Sequence, residues 1–534
     1  MMFRSNRAVT TISSHRPRKH GVLAAFAVFP AIALLTVVLN AVPANATSPA
    51  AKVTNGGTLT YLGEGLEWPT LDPASAAEQG PSQPIMSLLY GNLFNVGPHN
   101  TFLPDLAKSL TIRNGGLNAA LKLRPGVTFQ DGTAFNAAAV AANLKRDSMP
   151  GSGCFCYTAL KNITSITTPS ALEVDITFSS ADGVLLATLA TSGASFIVSP
   201  AALASQGSGY GQNPVGAGPY KMVSNVVNST ITLARWPGYW DTRATHVNTI
   251  VITSEAAGTA GLAALQSGGA QILSLGNDPP TIKEASKDHA LVRNLEHLSA
   301  NFEYMDFQKP PFNNILAREA LQYATNAPAL NRSLYEGYGP ASETLTGPDQ
   351  IAYPGSTLPG YHNYNLAKAK KLVAEIPGGI SFTQLTLGNT PFGIATAEAL
   401  AKQWALAGIN ATIDPLTLAG ALQLLESGNF QGVVAGYPAQ QDTPLTLATS
   451  LVCPVLFSPG FCDPTVTSTV KQALETQRFN LQATLMKRAI TTAVVSDAAY
   501  VPLNATPFGI YNTKSTHGFS FEGGEIYLSG VWLS

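Results

Sequence analysis

Apolar and polar positions alternate, then shift to helical spacing, in short bounded runs along most of the chain. Gly56-Gly-Thr-Leu-Thr-Tyr-Leu62 reads as a first strand that breaks at Gly63. Leu121, Leu123, Val127 and Phe129 alternate with Lys122, Arg124 and Thr128 across a Pro-Gly turn, which predicts a hairpin; Asn136 then caps an Ala-rich helix through Val140 and Leu144. In Asn213-Pro-Val-Gly-Ala-Gly-Pro-Tyr220, Gly216 and Gly218 free the backbone for positive φ, and Pro219 sets an extended course. With Ile231, Leu233 and Arg235 alternating beyond it, a glycine hinge feeding a hairpin is expected. Asn301–Phe307 reads as a strand with Phe302, Tyr304 and Asp306 on one face, and 315–325 as a helix. Asn365 caps a helix with Leu366, Ala369, Val373 and Ile376 on one face. A further helix, 394–407, turns Trp404 inward and stops at Gly408; Ile409, Ala411 and Ile413 then alternate as a strand. Strands taking turns with helices predict an α/β protein.

Residue totals narrow the class. Thirty-one basic residues face 32 acidic ones, which leaves neither a nucleic-acid footprint nor a polybasic membrane surface. The N-terminus is basic (Arg4, Arg7, Arg16, Arg18, Lys19), an apolar run spans Gly21 to Leu39, and Ala44-Asn45-Ala46 offers small residues at a cleavage position. Residues 1–46 are therefore expected to be a signal peptide, the alternative being an uncleaved membrane anchor, since the run is about long enough to span a bilayer. No cysteine lies near that position to carry a lipid, so the chain is expected in the periplasmic space or at the extracytoplasmic face of the membrane. The remainder is too long for one hydrophobic core and calls for two or three lobes. Four cysteines in an exported chain predict disulfides. A bridge between Cys453 and Cys462 would close a short turn-rich loop. Cys154 and Cys156, two residues apart, are expected to be oxidised with no partner assigned, or, less in keeping with their surroundings, to hold a soft metal.

The string Asn213–Tyr220 with Arg235-Trp-Pro-Gly-Tyr-Trp-Asp241 resembles the NPVGTGPY…RNPDYW segment of the extracytoplasmic solute-binding proteins that serve peptide and nickel ABC importers. Leu123-Arg-Pro-Gly-Val-Thr-Phe-Gln-Asp-Gly-Thr133 is similar to that family's LRPGVKFHDGTPLTAEDV block. Lys309-Pro-Pro-Phe312 with Arg318, Ala320 and Tyr323 follows its crossing segment, and Tyr500–Leu503 and Tyr511–Phe521 resemble its returning strands. Asn429–Asp442 resembles the D-F-D-x-x-x-x-G-W-x-x-D segment with three departures: Asn429 for the leading Asp, Tyr437 for Trp, and Gln440 for the Asp that can hold a peptide's amino terminus.

The resemblance implies a two-lobed periplasmic-binding-protein-like α/β fold of type II, class C. Lobe I is expected over 52–300 plus 502–534, with an extra subdomain near 85–212, and lobe II over 301–501. It implies capture of an oligopeptide or similar organic solute between the lobes by a monomer, and delivery to the permease subunits of an ABC importer, with no cofactor and no metal. The ligand-binding candidates are Glu64 and Trp68 from lobe I, Phe302 and Tyr304 at the crossing, and Tyr437, Pro438, Gln440 and Asp442 from lobe II. Trp68 can equally be an aromatic packed beneath its own loop, and Asp442 takes the anchoring role only if the loop shifts by about two residues. Sugar binding, or nickel-chelate binding through His297 or His362, is the alternative on the same scaffold. A secreted hydrolase is the alternative in another class, but no G-x-S-x-G, H-E-x-x-H or P-loop string occurs, and the histidines show no ligand spacing.

Overall fold

The computed structural model describes residues 52–534 apart from 65, 76–81, 99–100, 155, 256–257, 277, 351, 388–390, 437–443, 454 and 456–457. The proposed signal peptide lies outside the described residues. The strands in chain order are β1 (Thr58–Glu64), β2 (Phe94–Gly97), β3 (Thr101–Pro104), β4 (Ala107–Arg113), β5 (Asn118–Leu123), β6 (Ile163–Ser170), β7 (Glu173–Phe178), β8 (Tyr220–Val226), β9 (Thr230–Arg235) and β10 (Thr249–Glu255). There follow β11 (Ile272–Leu275), β12 (Leu291–Met305), β13 (Ile380–Thr386), β14 (Ile409–Pro415), β15 (Gly432–Gly436) and β16 (Tyr500–Thr513). Ten of them form one mixed sheet in the order β14-β13-β15-β12-β16-β11-β1-β10-β9-β8; β4-β5-β7-β6 form a separate antiparallel sheet, and β2 pairs with β3.

Hydrophobic burial separates along this sheet. One core gathers Leu59, Trp68, Tyr90, Tyr220, Ile250 and Ile272 around β1 and its neighbours, and joins residues as distant as Ile510 and Val531. A second fills the four-stranded sheet, with Leu121, Val140, Leu144, Val174 and Ile176. Two more lie at the far end, one around Phe302, Tyr304, Val433 and Tyr500, the other around Phe312, Phe382, Leu400 and Trp404. Among the described strands, the long antiparallel pair β12 and β16 passes from one end to the other, with register shifts at His297/Ser299 and Asn301/Phe302.

Local chemistry explains most elements. Asn136 accepts from the Ala139 N–H at 3.0 Å and starts the helix Ala137–Asp147. Asn365 likewise caps Leu366–Ala374, accepting from Lys368 N–H. Trp404 is fully buried in the helix Pro391–Ala405, and its indole N–H donates to Thr325 Oγ1 at 2.9 Å.

Two expectations are corrected. The Pro-Gly turn after Leu123 makes no hairpin, because both edges of β5 are already taken, by β4 and β7; beyond the turn only Thr128 bridges to Ala134. Gly216 and Gly218 do not adopt positive φ. Their role is close approach: a Cβ at Gly216 would stand 2.3 Å from Leu89 O, and one at Gly218 2.4 Å from Leu88 O, so only glycine lets this loop lie on the helix Gln83–Tyr90. Gln130 fastens the same loop, its Nε2 donating to the carbonyls of Leu89, Gly218 and Tyr220 at 3.1, 3.3 and 2.7 Å.

Candidate functional site

Strand direction locates a crevice. β16 enters from the end where Tyr500 pairs with Tyr304 and leaves alongside β11, where Gly509 pairs with Leu275 and Asn512 with Ile272. The carboxyl end of β11 therefore points back toward β15, and β1 and β10 run parallel to it. From the other side, Asn301 pairs with Gly436 and Met305 with Gly432, so the carboxyl end of β15 points toward β11; β13 is parallel to β15. Both halves thus aim the carboxyl ends of their strands at one another across the β12–β16 pair. In open α/β sheets ligands bind outside the carboxyl ends of strands, so the loops after β1, β11, β13 and β15 border the site.

The sequence candidates fall in different surroundings. Trp68 is fully buried in the β1 core; its backbone N–H donates to Asn228 Oδ1 at 2.6 Å and its indole N–H to Asn225 Oδ1 at 2.8 Å, which pins the loop after β1 to the β8–β9 turn. Glu64 is the last residue of β1, and its side chain lies outside the described set, as do Tyr437, Pro438, Gln440 and Asp442. Phe302 and Tyr304 are brought together, ring centroids 4.5 Å apart, and Tyr500 meets them edge-on at 5.2 and 5.6 Å. All three are buried in one core, which also holds Leu385 and Val433.

The strands that cross carry polar groups. Asn301 is buried at the register shift, its Nδ2 donating to Tyr335 Oη at 3.1 Å and Asn504 Oδ1 at 3.4 Å. Residues 341–349 run along the crossing, tied by Ser342 N–H to Leu503 O and by Asp349 N–H to His297 O. Within this segment Thr344 and Thr346 are wholly buried and their hydroxyls have no partner among the described residues; Thr386, the last residue of β13, is in the same state. Gln83, the first residue of the helix that follows the loop after β1, is 3% exposed with neither amide atom bonded. Each such group costs about 1–3 kcal/mol while it stays unpaired, which makes these four side chains candidates for contact with a bound molecule. Sequence reasoning missed them because a threonine or glutamine carries no periodic signal; the pairing of Thr344 and Thr346, two residues apart, is the one cue in the sequence.

Charge near the crossing is muted. Burial pushes the Glu296 carboxyl up to about 7 despite the Gly524 N–H it accepts at 2.9 Å. Burial also raises Glu303, whose Oε2 accepts from Gln384 Nε2 at 3.0 Å, well above the usual carboxylate range. His297 is held by Tyr338 O at 2.9 Å and by Asp349, while His362 stacks on Tyr323. Among the described residues one cluster has metal-ligand proximity, Asp147 with Cys154 and Cys156. Its sulfurs are joined to each other, as are those of Cys453 and Cys462, so it presents no free thiolate.

Comparison with known proteins matches this geometry. The glutathione-binding protein GsiB of Escherichia coli K12 is 29% identical over 470 residues, 85% of this chain and 90% of the relative. A dipeptide-binding protein from Pseudoalteromonas sp. SM9913, solved with Met-Leu, superposes with a TM-score of 0.77 at 19% identity, covering 90% of this chain and 100% of that one. The binding protein MoaA of A. tumefaciens R10, solved with mannopinic acid, superposes with a TM-score of 0.74 at 22% identity, covering 91% and 100%. These likenesses show a two-lobed type II periplasmic-binding-protein fold. The family model for the middle region of bacterial extracellular solute-binding proteins, family 5, matches residues 101–454, and the chain belongs to that family.

Proposed function

We propose that this protein captures a short peptide or peptide-like organic solute in the crevice between its lobes and presents the closed complex to an ABC permease. The observation that carries the reading is the opposed set of strand ends across β12 and β16 in a chain of this family. No bond is made or broken; the work is a difference in affinity between open and closed states. The division of the cores supports lobe I over 52–300 plus 502–534 and lobe II over 301–501; of the subdomain proposed near 85–212, the stretch from Leu93 to Ile197 supplies a core of its own, while Ile85–Tyr90 and Val198–Tyr210 pack with the β1 core. The basic start, apolar run and Ala44-Asn-Ala46 support export with removal of residues 1–46, which N-terminal sequencing of the secreted protein would check by a start at Thr47.

In this reading Gln83, Thr344, Thr346 and Thr386 hydrogen-bond the solute, and Glu64, Tyr437, Pro438, Gln440 and Asp442 border it from the loops. Neutral amides and hydroxyls suit a peptide main chain or another uncharged polar surface better than a lone ammonium group. Titration calorimetry with glutathione, Met-Leu and a longer peptide, alongside mannopinic acid, tests it. Saturable binding of a peptide supports the proposal; binding of the sugar-derived acid alone, or turnover of the ligand, overturns it.

A further inference from the structure

The halves also meet far from the crossing strands. Gly183, in the loop between β7 and the helix Leu185–Thr191, donates its N–H to Leu474 O at 2.7 Å. Gln477 Nε2 donates to Asp182 O, and Gln482 Nε2 donates to Gly183 O at 3.2 Å and to Ala473 O at 3.0 Å. Gly183 belongs to the four-stranded-sheet region, whose core holds Phe178, Leu185 and Leu189. Leu474–Gln482 spans the turn 476–478 and the adjoining ends of the helices Pro464–Glu475 and Phe479–Thr491, which bury Val466, Val470 and Met486 in the core around Tyr500.

Glycine at 183 has one evident purpose. Its φ is not in the left-handed region, so its backbone would accept any side chain, yet a Cβ there would stand 2.2 Å from Thr476 O and 2.7 Å from Leu474 O. Both obstacles are backbone oxygens of the other half, which no side-chain rotation removes. The nearest obstacles to a larger residue at this position all belong to Leu474 and Thr476 of the other half.

We propose that the contact is a closure latch, with Gly183, Gln477 and Gln482 as positioning residues that touch no solute and set how often the lobes are closed. The inference deepens the solute-binding reading and rests on it. Apparent affinity scales with the fraction of molecules in the binding-competent state, so loosening the latch weakens capture by the factor it removes from the closed population. Every bond in it joins an amide to a carbonyl, and it is therefore insensitive to salt.

Spin labels at the exposed positions Lys122→Cys and Arg488→Cys, one in each half, report the separation in ligand-free protein. Distances are measured by pulsed electron resonance in that parent, in Gly183→Ala and in Gln477→Ala. Gln477 is exposed, so its truncation does not threaten folding. The expected result is a population at the latched separation in the parent that drops roughly tenfold relative to the open one in either variant, with the ligand-free Tm moved by less than about 2 °C. Identical distributions in all three proteins overturn the proposal, as does a parent with no latched population. A Tm lowered by more than about 5 °C with unchanged distances also overturns it, because the contact would then be a fixed joint. No ligand is used, so a wrong ligand class leaves this outcome readable.

Discussion

The loop Asn213–Tyr220 and the rim of the crevice both lie on buried backbone, and they treat hydrogen bonds in opposite ways. In the loop, one Gln130 amide serves three carbonyls, and its own backbone N–H donates to Gly216 O at 2.9 Å. At the rim, Gln83 is as deeply buried as the core, yet neither end of its amide is used. The first arrangement is finished in the protein alone, whereas the second leaves its hydrogen-bonding capacity open, as the proposed solute contact requires. In this comparison the satisfied groups belong to scaffold and the unsatisfied ones to the proposed working surface, since a buried donor left unpaired costs more than a made bond returns.

Exchanging an apolar side chain for each glutamine should widen this contrast most. Gln130→Leu removes a donor from three carbonyls, of which Leu89 O keeps the Gly218 N–H at 3.0 Å, and is expected to cost about 2–3 kcal/mol, seen as a lower denaturation midpoint at unchanged slope. Gln83→Leu removes two unpaired groups and should leave ligand-free stability equal or higher while weakening capture of a peptide that binds the parent. If Gln83→Leu instead destabilises the empty protein as much as Gln130→Leu, the rim is scaffold too and the distinction fails.

Glycines extend the comparison at a somewhat smaller cost. Gly216→Ala presses a methyl group onto Leu89 O and the Tyr90 backbone inside one core, so it should lose roughly 2 kcal/mol of stability. Gly183→Ala meets backbone across the lobes and should lose little, because the halves can separate. Equal losses in urea melts would mean that the two contacts are alike.

The sequence made the scaffold readable and left the rim obscure, for a physical reason. Close backbone approach restricts a position to glycine, and a helix start favours a side chain such as Asn136, so these sites leave recognisable letters. Even there the mechanism was misread: Gly216 and Gly218 stand for contact distance and not for positive φ, which no local pattern distinguishes. The alternation through Phe302 and Tyr304 predicted a strand, but not that both of its faces would be buried by packing from Tyr500 on one side and Glu303 with Gln384 on the other. Trp68 shows the same ambiguity, since its indole N–H is satisfied inside the protein by Asn225 of β8, more than a hundred residues away. Which polar residues lack a partner is a property of the assembled fold. The residues 437–443, which the family pattern singled out, lie outside the described set and stay proposals.

The smallest effect concerns charge. Glu296 on β12 has its carboxyl pushed up to about 7 by burial, while Asp105, Asp147, Asp182 and Asp497 rise to about 6, again chiefly through burial. A carboxyl whose pKa is higher folded than unfolded binds its proton more tightly in the native state. Its contribution to stability is therefore complete below the unfolded value, near 4, and is lost as pH rises through 6 to 7. Thermal stability should accordingly decline between pH 4 and pH 7. Glu296→Gln keeps a neutral oxygen for the Gly524 N–H and cannot ionise, so it should reduce the upper part of that decline, to which the raised Glu303 also contributes, and leave the aspartate-driven part in place. The effect is expected as a flatter Tm profile between pH 6 and pH 7.5, with little change at pH 4.5. A profile for Glu296→Gln parallel to that of the parent across this window would mean that the crossing strands hold an ionised carboxylate at no cost, and that the polar groups around them are better satisfied than the contrast with the Gln130 loop allows.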